Sequence, residues 1–172
     1  MNRFIRFAAA IVLATTTAAA WSQAFPVKPV RIVVPFAPGG NVDINARAIA
    51  PGLTELWKQQ IIVDNRPGAG GMIGGEVVAK SPPDGHAVLC FANNFWLLPF
   101  MQDNVSYDPV RDFVPITLAV MAPNILVVHP SLRVTSVKQL VALAKARPGD
   151  LNFGVGVAGA SPHLAAELFK SM

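Results

Sequence analysis

Short apolar runs separated by segments rich in proline and glycine make up most of the chain. A run of β-branched residues begins at Val30 and predicts a buried strand, because such residues favour extended backbone. A proline- and glycine-rich turn follows, and apolar residues then recur every three or four positions. That spacing predicts a helix whose apolar face is formed by Val42, Ala46, Ile49, Leu53 and Leu56.

The later elements are bounded in the same way by proline and glycine. Pro51-Gly52 lies inside the first helical pattern and predicts a kink or two short helices, since proline lacks an amide proton. Two apolar segments, 115–120 and 124–128, are expected to be extended. Alternating strands and helices predict an α/β fold with a parallel sheet. The other expected elements are strands at 61–65, 86–91 and 151–154, and helices at 72–80, after Ser136 and from Ser161.

Glycine and asparagine residues follow two of these strands. They are Gly39, Gly40 and Asn41 after the first strand, and Asn93 and Asn94 after the third. In open parallel sheets the loops at the carboxyl ends of the strands bind ligands. A helix start there offers free N–H groups and the positive end of the dipole, which suits a carboxylate or phosphate. An ordinary strand-to-helix connection needs the same small residues, so the turn alone leaves both interpretations open.

The same arrangement returns near the end of the chain. A glycine loop at 154–159 leads to Ser161-Pro162, where serine suits the N-cap of a helix and proline its first position. Two helix starts that face each other across a cleft would hold both ends of a dianion, or one carboxylate from two sides.

Residues 1–24 have the three parts of a secretory signal peptide: a basic start, an uncharged apolar stretch and small residues before a cleavage site. Cleavage is expected after Ala24, which indicates a periplasmic protein. The leader takes two arginines with it, so the formal charge of +4 overstates how basic the exported protein is. The remaining basic residues are scattered, and no nucleic-acid partner is expected.

Cys90 is the only cysteine, and its apolar surroundings predict a buried, inert thiol. No metal site is expected, because the histidines lack ligands at metal-binding spacing. The glycines between Gly68 and Gly74 form G-x-G-x-x-x-G, one residue longer than the dinucleotide-binding motif and placed after the second strand rather than the first. They predict a tight turn with close helix packing; an enzyme that uses a nucleotide is the weaker alternative, and no cofactor is expected.

An ordered set of motifs resembles the periplasmic substrate-binding proteins of tripartite tricarboxylate transporters, the Bug (Bordetella uptake gene) family. The resemblance extends from Phe25 to the last residue. Its motifs include VVPFAPGG at 33–40, DNRPGAGG at 64–71, PDG at 83–85, NILVV at 124–128, RPG at 147–149 and SPHL at 161–164.

The resemblance implies a type II periplasmic-binding-protein fold, an α/β fold of two lobes with a central cleft. It implies a monomer without catalysis that captures a small carboxylate and delivers it to membrane permease subunits. The first lobe would span 25–123, and the start of the second would span 124–172. The residues that match the ligand-gripping loops are Gly39, Gly40, Asn41, Asp43, Asn93, Asn94, Gly159, Ala160 and Ser161.

Family members are about twice as long as this chain, so the second lobe is expected to be incomplete. The sequence is then either a fragment or a truncated copy without activity. Asn41 stands where serine or threonine is frequent in the family. The same fold could also present a bound acid to a sensor domain, an alternative that the residues do not separate from transport.

Overall fold

A three-stranded parallel sheet forms the centre of the protein. The computed structural model describes residues 25–172, so the expected signal peptide lies outside the described residues. The strands are β1 (Val30–Val34), β2 (Ile61–Asn65) and β3 (Ala87–Leu89), in the order β2-β1-β3. Val30 pairs with Ile61 on one side, and Arg31 pairs with Ala87 on the other. The predicted α/β fold with a parallel sheet is confirmed.

The first helix, α1 (Asn41–Trp57), covers one face of this sheet. Its Ala46 packs with Ile32 and Val34 in the core. Ile49 and Leu56 were expected on the buried face but are 40% and 73% exposed. The buried stripe instead runs through Asp43, Ala46 and Ala50, and nothing in the described residues packs on the flank that carries Ile49 and Leu56.

The helix α1 continues through Pro51, so of the two outcomes expected there, a kink or two short helices, the second is wrong. Pro51 and Gly52 are both exposed, as is Arg47, one turn earlier. The backbone carbonyl that loses its partner to proline therefore lies on the solvent side, where water can satisfy it.

The second helix, α2 (Met72–Ala79), packs closely on the opposite face. Pro35 follows the last residue of β1 directly, and the alternation of side chains along the strand directs it away from the side on which Val34 packs with α1. A Cβ added at Gly74 would lie 2.6 Å from the Cβ of Pro35. The expectation of a tight turn with close helix packing is therefore confirmed at Gly74.

Aromatic side chains join the end of the sheet to the segment that follows it. Phe95 contacts the rings of Phe91, Tyr107 and Phe113 at centroid distances of 4.9–5.7 Å. Burial, with a smaller contribution from the charge of Glu76, raises the pKa of Tyr107 to about 12. The segment begins with a 3-10 helix at Asn93–Leu97 and continues into α3 (Leu98–Met101).

The last third of the described chain holds two helices and no strand. The helices are α4 (Val137–Ala146) and α5 (Ser161–Ser171), with a short 3-10 turn at Pro130–Leu132. Ser136 caps α4 by accepting a hydrogen bond from the Gln139 amide at 3.2 Å, as the sequence predicts. The strand expected at 151–154 is wrong, because no neighbouring backbone pairs with it. Segments 115–120 and 124–128 are likewise unpaired and exposed.

Within residues 25–172, no helix is both long enough and apolar enough to cross a membrane. The proposed division into lobes at residue 123 falls within the irregular, exposed segment that separates α3 from α4.

Candidate functional site

An open cleft of about 490 Å³ lies at the edge of the sheet where the parallel strands end. Its walls come from the loops after β1 and β2, from α3, and from the glycine loop before α5. This is the edge where α/β proteins place ligands, because there the loops converge and helices begin. The lining residues are 35–37, 67–71, Leu98, Met101, Gln102 and 156–158.

The first predicted loop lies beside this cleft. Phe36 and Ala37 line it directly, whereas Gly39, Gly40 and Asn41 follow at the exposed start of α1. Gly39 has a φ of +82°, a value that glycine adopts without strain. Its N–H donates to Oδ2 of Asp43 at 2.9 Å, and the Asn41 side chain accepts from Nδ2 of Asn45 at 3.0 Å.

Asp43 is held by protein donors. It is 2% exposed, and both of its carboxylate oxygens lie 3.0 Å from Nε of Arg47. Asn65, the last residue of β2, donates to Oδ1 at 2.9 Å. These hydrogen bonds lower the pKa of Asp43 to about 2. The bond from Arg47 has the largest effect, followed by those from Gly39 and Asn65. The carboxylate thereby ties the Gly39 turn to the end of β2.

The two asparagines after β3 have different surroundings. Asn94 is fully buried, and its Nδ2 donates to the carbonyl of Gly70 at 3.1 Å. Its Oδ1 has no hydrogen-bond partner in the described structure. Asn93 is exposed, and its Oδ1 accepts a hydrogen bond from the backbone N–H of Ser161 at 3.1 Å. The loop after β3 therefore contacts both the loop after β2 and the start of α5.

The second predicted loop, Gly159 to Ser161, directly follows the stretch 156–158 that lines the cleft, and its own three residues are not part of the lining. Gly159 is buried at a φ of +77°, and a Cβ there would lie 2.4 Å from Sδ of Met101. Ser161 was expected to be the N-cap of α5. The cap residue is instead Ala160, and Ser161 is the first residue of the helix, where its Oγ accepts from Nδ2 of Asn124 at 2.7 Å.

The loop after β2 lines the cleft although its residues were not among the predicted ligand contacts. Residues 67–71 form part of the wall, and two side-chain amides hold their carbonyls. Gln102 donates to Ala69 at 3.2 Å and Asn94 to Gly70 at 3.1 Å. The signal that could have found this loop is its position, since it follows a parallel strand at the same edge as the other two.

Two further kinds of reactive group, metal ligands and a thiol, bear on the chemistry of the described part of the chain. Residues 25–172 contain no group of three histidine, cysteine or acidic residues that could bind a metal ion. Cys90 is half-buried rather than fully buried, and it packs against the core beside β1. This burial raises the pKa of its thiol.

Comparison with known proteins identifies the family. The family profile described as "Tripartite tricarboxylate transporter family receptor" matches residues 45–172. The chain belongs to this receptor family. Among curated relatives, a UPF0065 protein in the tcbD-tcbE intergenic region of Pseudomonas sp. (strain P51) is 43% identical over 96% of this chain and 50% of its own length. Protein BugT of Bordetella pertussis is 36% identical over 87% of this chain and 46% of its own length. The resemblance to the Bug proteins is confirmed.

Solved structures of receptor-like proteins share the fold. "R. palustris Rpa4515 with adipate" is 40% identical, with a TM-score of 0.77, over 86% of this chain and 50% of that one. MatC (Rpa3494) from Rhodopseudomonas palustris, solved with bound malate, is 28% identical, with a TM-score of 0.70, over 85% of this chain and 51% of that one. The fold is that of periplasmic binding proteins, and the chain spans about half the length of the relatives it matches.

Proposed function

We propose that this protein is a periplasmic solute receptor that binds a small organic carboxylate in the cleft at the end of the sheet. One observation carries the proposal: the cleft lies where two strand-end loops meet the glycine loop before α5, in a chain of the tricarboxylate receptor family. The neighbouring structures with adipate and with malate support an acid as the ligand class. The family description as a receptor supports binding rather than catalysis.

The lining of the cleft favours an acid with an aliphatic body. None of the lining residues is charged; they are apolar side chains, backbone and the Gln102 amide. A carboxylate in this cleft would be held by backbone N–H groups and helix starts rather than by an ion pair. The side chains of Phe36, Leu98 and Met101 would contact the hydrocarbon part of the ligand.

The predicted residues then take two kinds of role. Gly39, Gly40, Asn41, Asn93, Asn94, Gly159, Ala160 and Ser161 would form the loops around the acid. Asp43 would act indirectly, because both of its oxygens are already bonded to protein donors. We propose that Asp43 shapes the first loop by holding Gly39 in place.

Calorimetric titration of the chain with adipate and with malate tests this proposal. Each acid is compared with its uncharged diamide, which has the same shape without the charge. Heat from at least one acid and none from its diamide is expected. The absence of heat from both acids, or equal heat from an acid and its diamide, contradicts the proposal.

A pair of variants tests the location of the site. Ala158→Asp places a negative charge on the cleft wall and should abolish acid binding by repulsion. Ala165→Asp places the same charge on the exposed surface of α5 and should leave binding unchanged. If the two variants bind the acid equally well, the ligand lies elsewhere.

We further propose that the receptor delivers its acid to the membrane permease subunits of a tripartite tricarboxylate transporter. The family description supports this partner. Deletion of the gene should reduce uptake of the acid by cells, and a copy without residues 1–24 should fail to restore uptake. Mass spectrometry of the periplasmic protein would check the expected cleavage after Ala24.

A further inference from the structure

The lining of the cleft contains a single side chain that can form hydrogen bonds. That side chain is Gln102; the other lining residues are glycines, prolines, alanines and larger apolar residues. Gln102 is half-buried and directly follows α3, where its backbone N–H donates to the carbonyl of Leu98 at 3.0 Å. Any side-chain recognition of a polar group on the body of a ligand in this cleft therefore comes from Gln102.

The side-chain amide of Gln102 has a fixed orientation. Its Nε2 donates to the carbonyl of Ala69 at 3.2 Å. Since a carbonyl oxygen can only accept, the nitrogen of the amide must face Ala69, and a rotation by 180° would place two oxygens against each other. A Cβ added at Gly70 would lie 3.2 Å from the same nitrogen, so the nitrogen end also packs against the loop after β2.

The oxygen end of this amide, Oε1, is the end that remains for a ligand. Among the described residues, the bond to Ala69 is the only hydrogen bond that the side chain of Gln102 forms. An amide oxygen and an ionised carboxylate both accept hydrogen bonds only, so Oε1 does not bond to a ligand carboxylate. A hydroxyl group has a proton to donate, and it is the neutral substituent of an organic acid that this oxygen can bind.

We propose that Oε1 of Gln102 accepts a hydrogen bond from a hydroxyl group of the ligand, so that the cleft prefers a hydroxy acid to the same acid without the hydroxyl. The inference rests on the proposed function and names the class of acid within it. Because Gln102 is only half-buried, water can also bond to Oε1 in the free protein. The preference should therefore be about threefold to tenfold, the range expected for one neutral hydrogen bond.

Calorimetric titration of the parent chain with three matched acids tests the preference without any variant. Succinate lacks the hydroxyl, malate carries it, and fluorosuccinate has a small substituent with no proton to donate. At least one enantiomer of malate should bind about threefold to tenfold more tightly than succinate, and the corresponding fluorosuccinate should bind like succinate. Equal affinities for malate and succinate overturn the inference. Fluorosuccinate that binds as tightly as malate also overturns it, because the substituent would then be recognised without a hydrogen bond.

A pair of variants tests whether Gln102 is the residue responsible. Gln102→Met keeps a side chain of similar length without the amide, and it should reduce the affinity for malate to that for succinate, with little change for succinate. The matched control, Gln60→Met, makes the same substitution at an exposed residue before β2, at the end of the strand opposite to the cleft, and should change neither affinity.

The outcomes separate this inference from the proposed function. Equal weakening of malate and succinate binding by Gln102→Met overturns the inference, because Gln102 would then hold the Ala69 loop in place or bind a carboxylate through Nε2. Absence of binding of every acid to the parent chain refutes the proposed function itself. Binding of the acids without a preference for the hydroxyl refutes only the role of Oε1.

Discussion

The contact between α2 and β1 leads to a prediction with an internal control. The perturbation is Gly74→Ala. The added Cβ would lie 2.6 Å from Cβ of Pro35, 2.9 Å from Cα of Pro35 and 3.2 Å from the carbonyl oxygen of Arg66. Two of these atoms belong to the backbone and the third to a closed ring, so none can rotate away.

The expected magnitude follows from two opposing terms. Overpacking of a filled core costs about 1–3 kcal/mol, and the rigid neighbours of Gly74 place this site near about 3. Alanine is the better helix former, which returns about 1 kcal/mol. The net loss in the free energy of unfolding should therefore be about 2 kcal/mol, because the steric term is larger.

Gly52→Ala is the matched control. Gly52 is also inside a helix, but it is exposed, and an added Cβ would meet no atom within 4 Å. Only the propensity term applies there, so this variant should be more stable than the parent by about 0.5–1 kcal/mol. Urea unfolding followed by circular dichroism measures both changes. A stabilised Gly74→Ala, or equal effects at both positions, would refute the argument from close packing.

Three further predictions concern single residues. The pKa of Asp43 is lowered to about 2, so its contribution to stability is complete above about pH 4 and is lost as the pH falls toward 2. In urea unfolding between pH 2 and 5, Asp43→Asn should remove part of the pH dependence of the unfolding free energy, and an unchanged pH dependence would contradict this role. Pro51→Ala should stabilise the protein by up to about 3 kcal/mol, because it restores a helical hydrogen bond to the carbonyl of Arg47. Pro162→Ala, in the first turn of α5, should give no such gain. Equal urea midpoints for the two variants would show that Pro51 does not destabilise the helix. Cys90 should react slowly with a thiol reagent at pH 7 and faster after unfolding in urea, because burial raises the pKa of its thiol; a rapid native reaction would show that the thiol is accessible.

The sequence predicts those parts of the fold that depend on neighbouring residues. The run from Val30 to Val34 forms β1 because its β-branched residues are buried between two paired strands. Ser136 starts α4 because its cap partner is three residues away. Signals of this kind lie within a few positions of each other, so composition and spacing can identify them.

The parts that the sequence does not predict depend on distant partners. The segment 151–154 has the composition of a strand, but a strand needs a neighbouring backbone, and none pairs with it in the described chain. Ile49 and Leu56 have helical spacing, yet burial requires an element that packs on their flank. The partner of Ser161 is Asn93, 68 residues away, and no spacing rule connects them.

The candidate site likewise has one part that neighbouring residues predict and another that depends on distant partners. The glycine turn at Gly39 can be identified as a helix start from local residues alone. The contribution of 67–71 to the cleft, and the bonds that hold Asp43, follow from the order in which the strands pair. That order brings the ends of β1 and β2 together, and it becomes clear only once the topology is known.

Because the strand order is β2-β1-β3, the outer strands of the sheet are β2 and β3. These two edges differ in how readily they would pair with a second copy of the chain. The β2 edge carries Asp64, which is ion-paired with Arg31 and Arg66, and charges on an outer strand oppose pairing with another chain. The β3 edge, Ala87–Leu89, is short and carries no charged side chain. Within residues 25–172 its outer backbone has no strand partner. Any edge-to-edge association between two copies of this sheet should therefore begin at β3, where three residues of unpaired backbone can accept another strand.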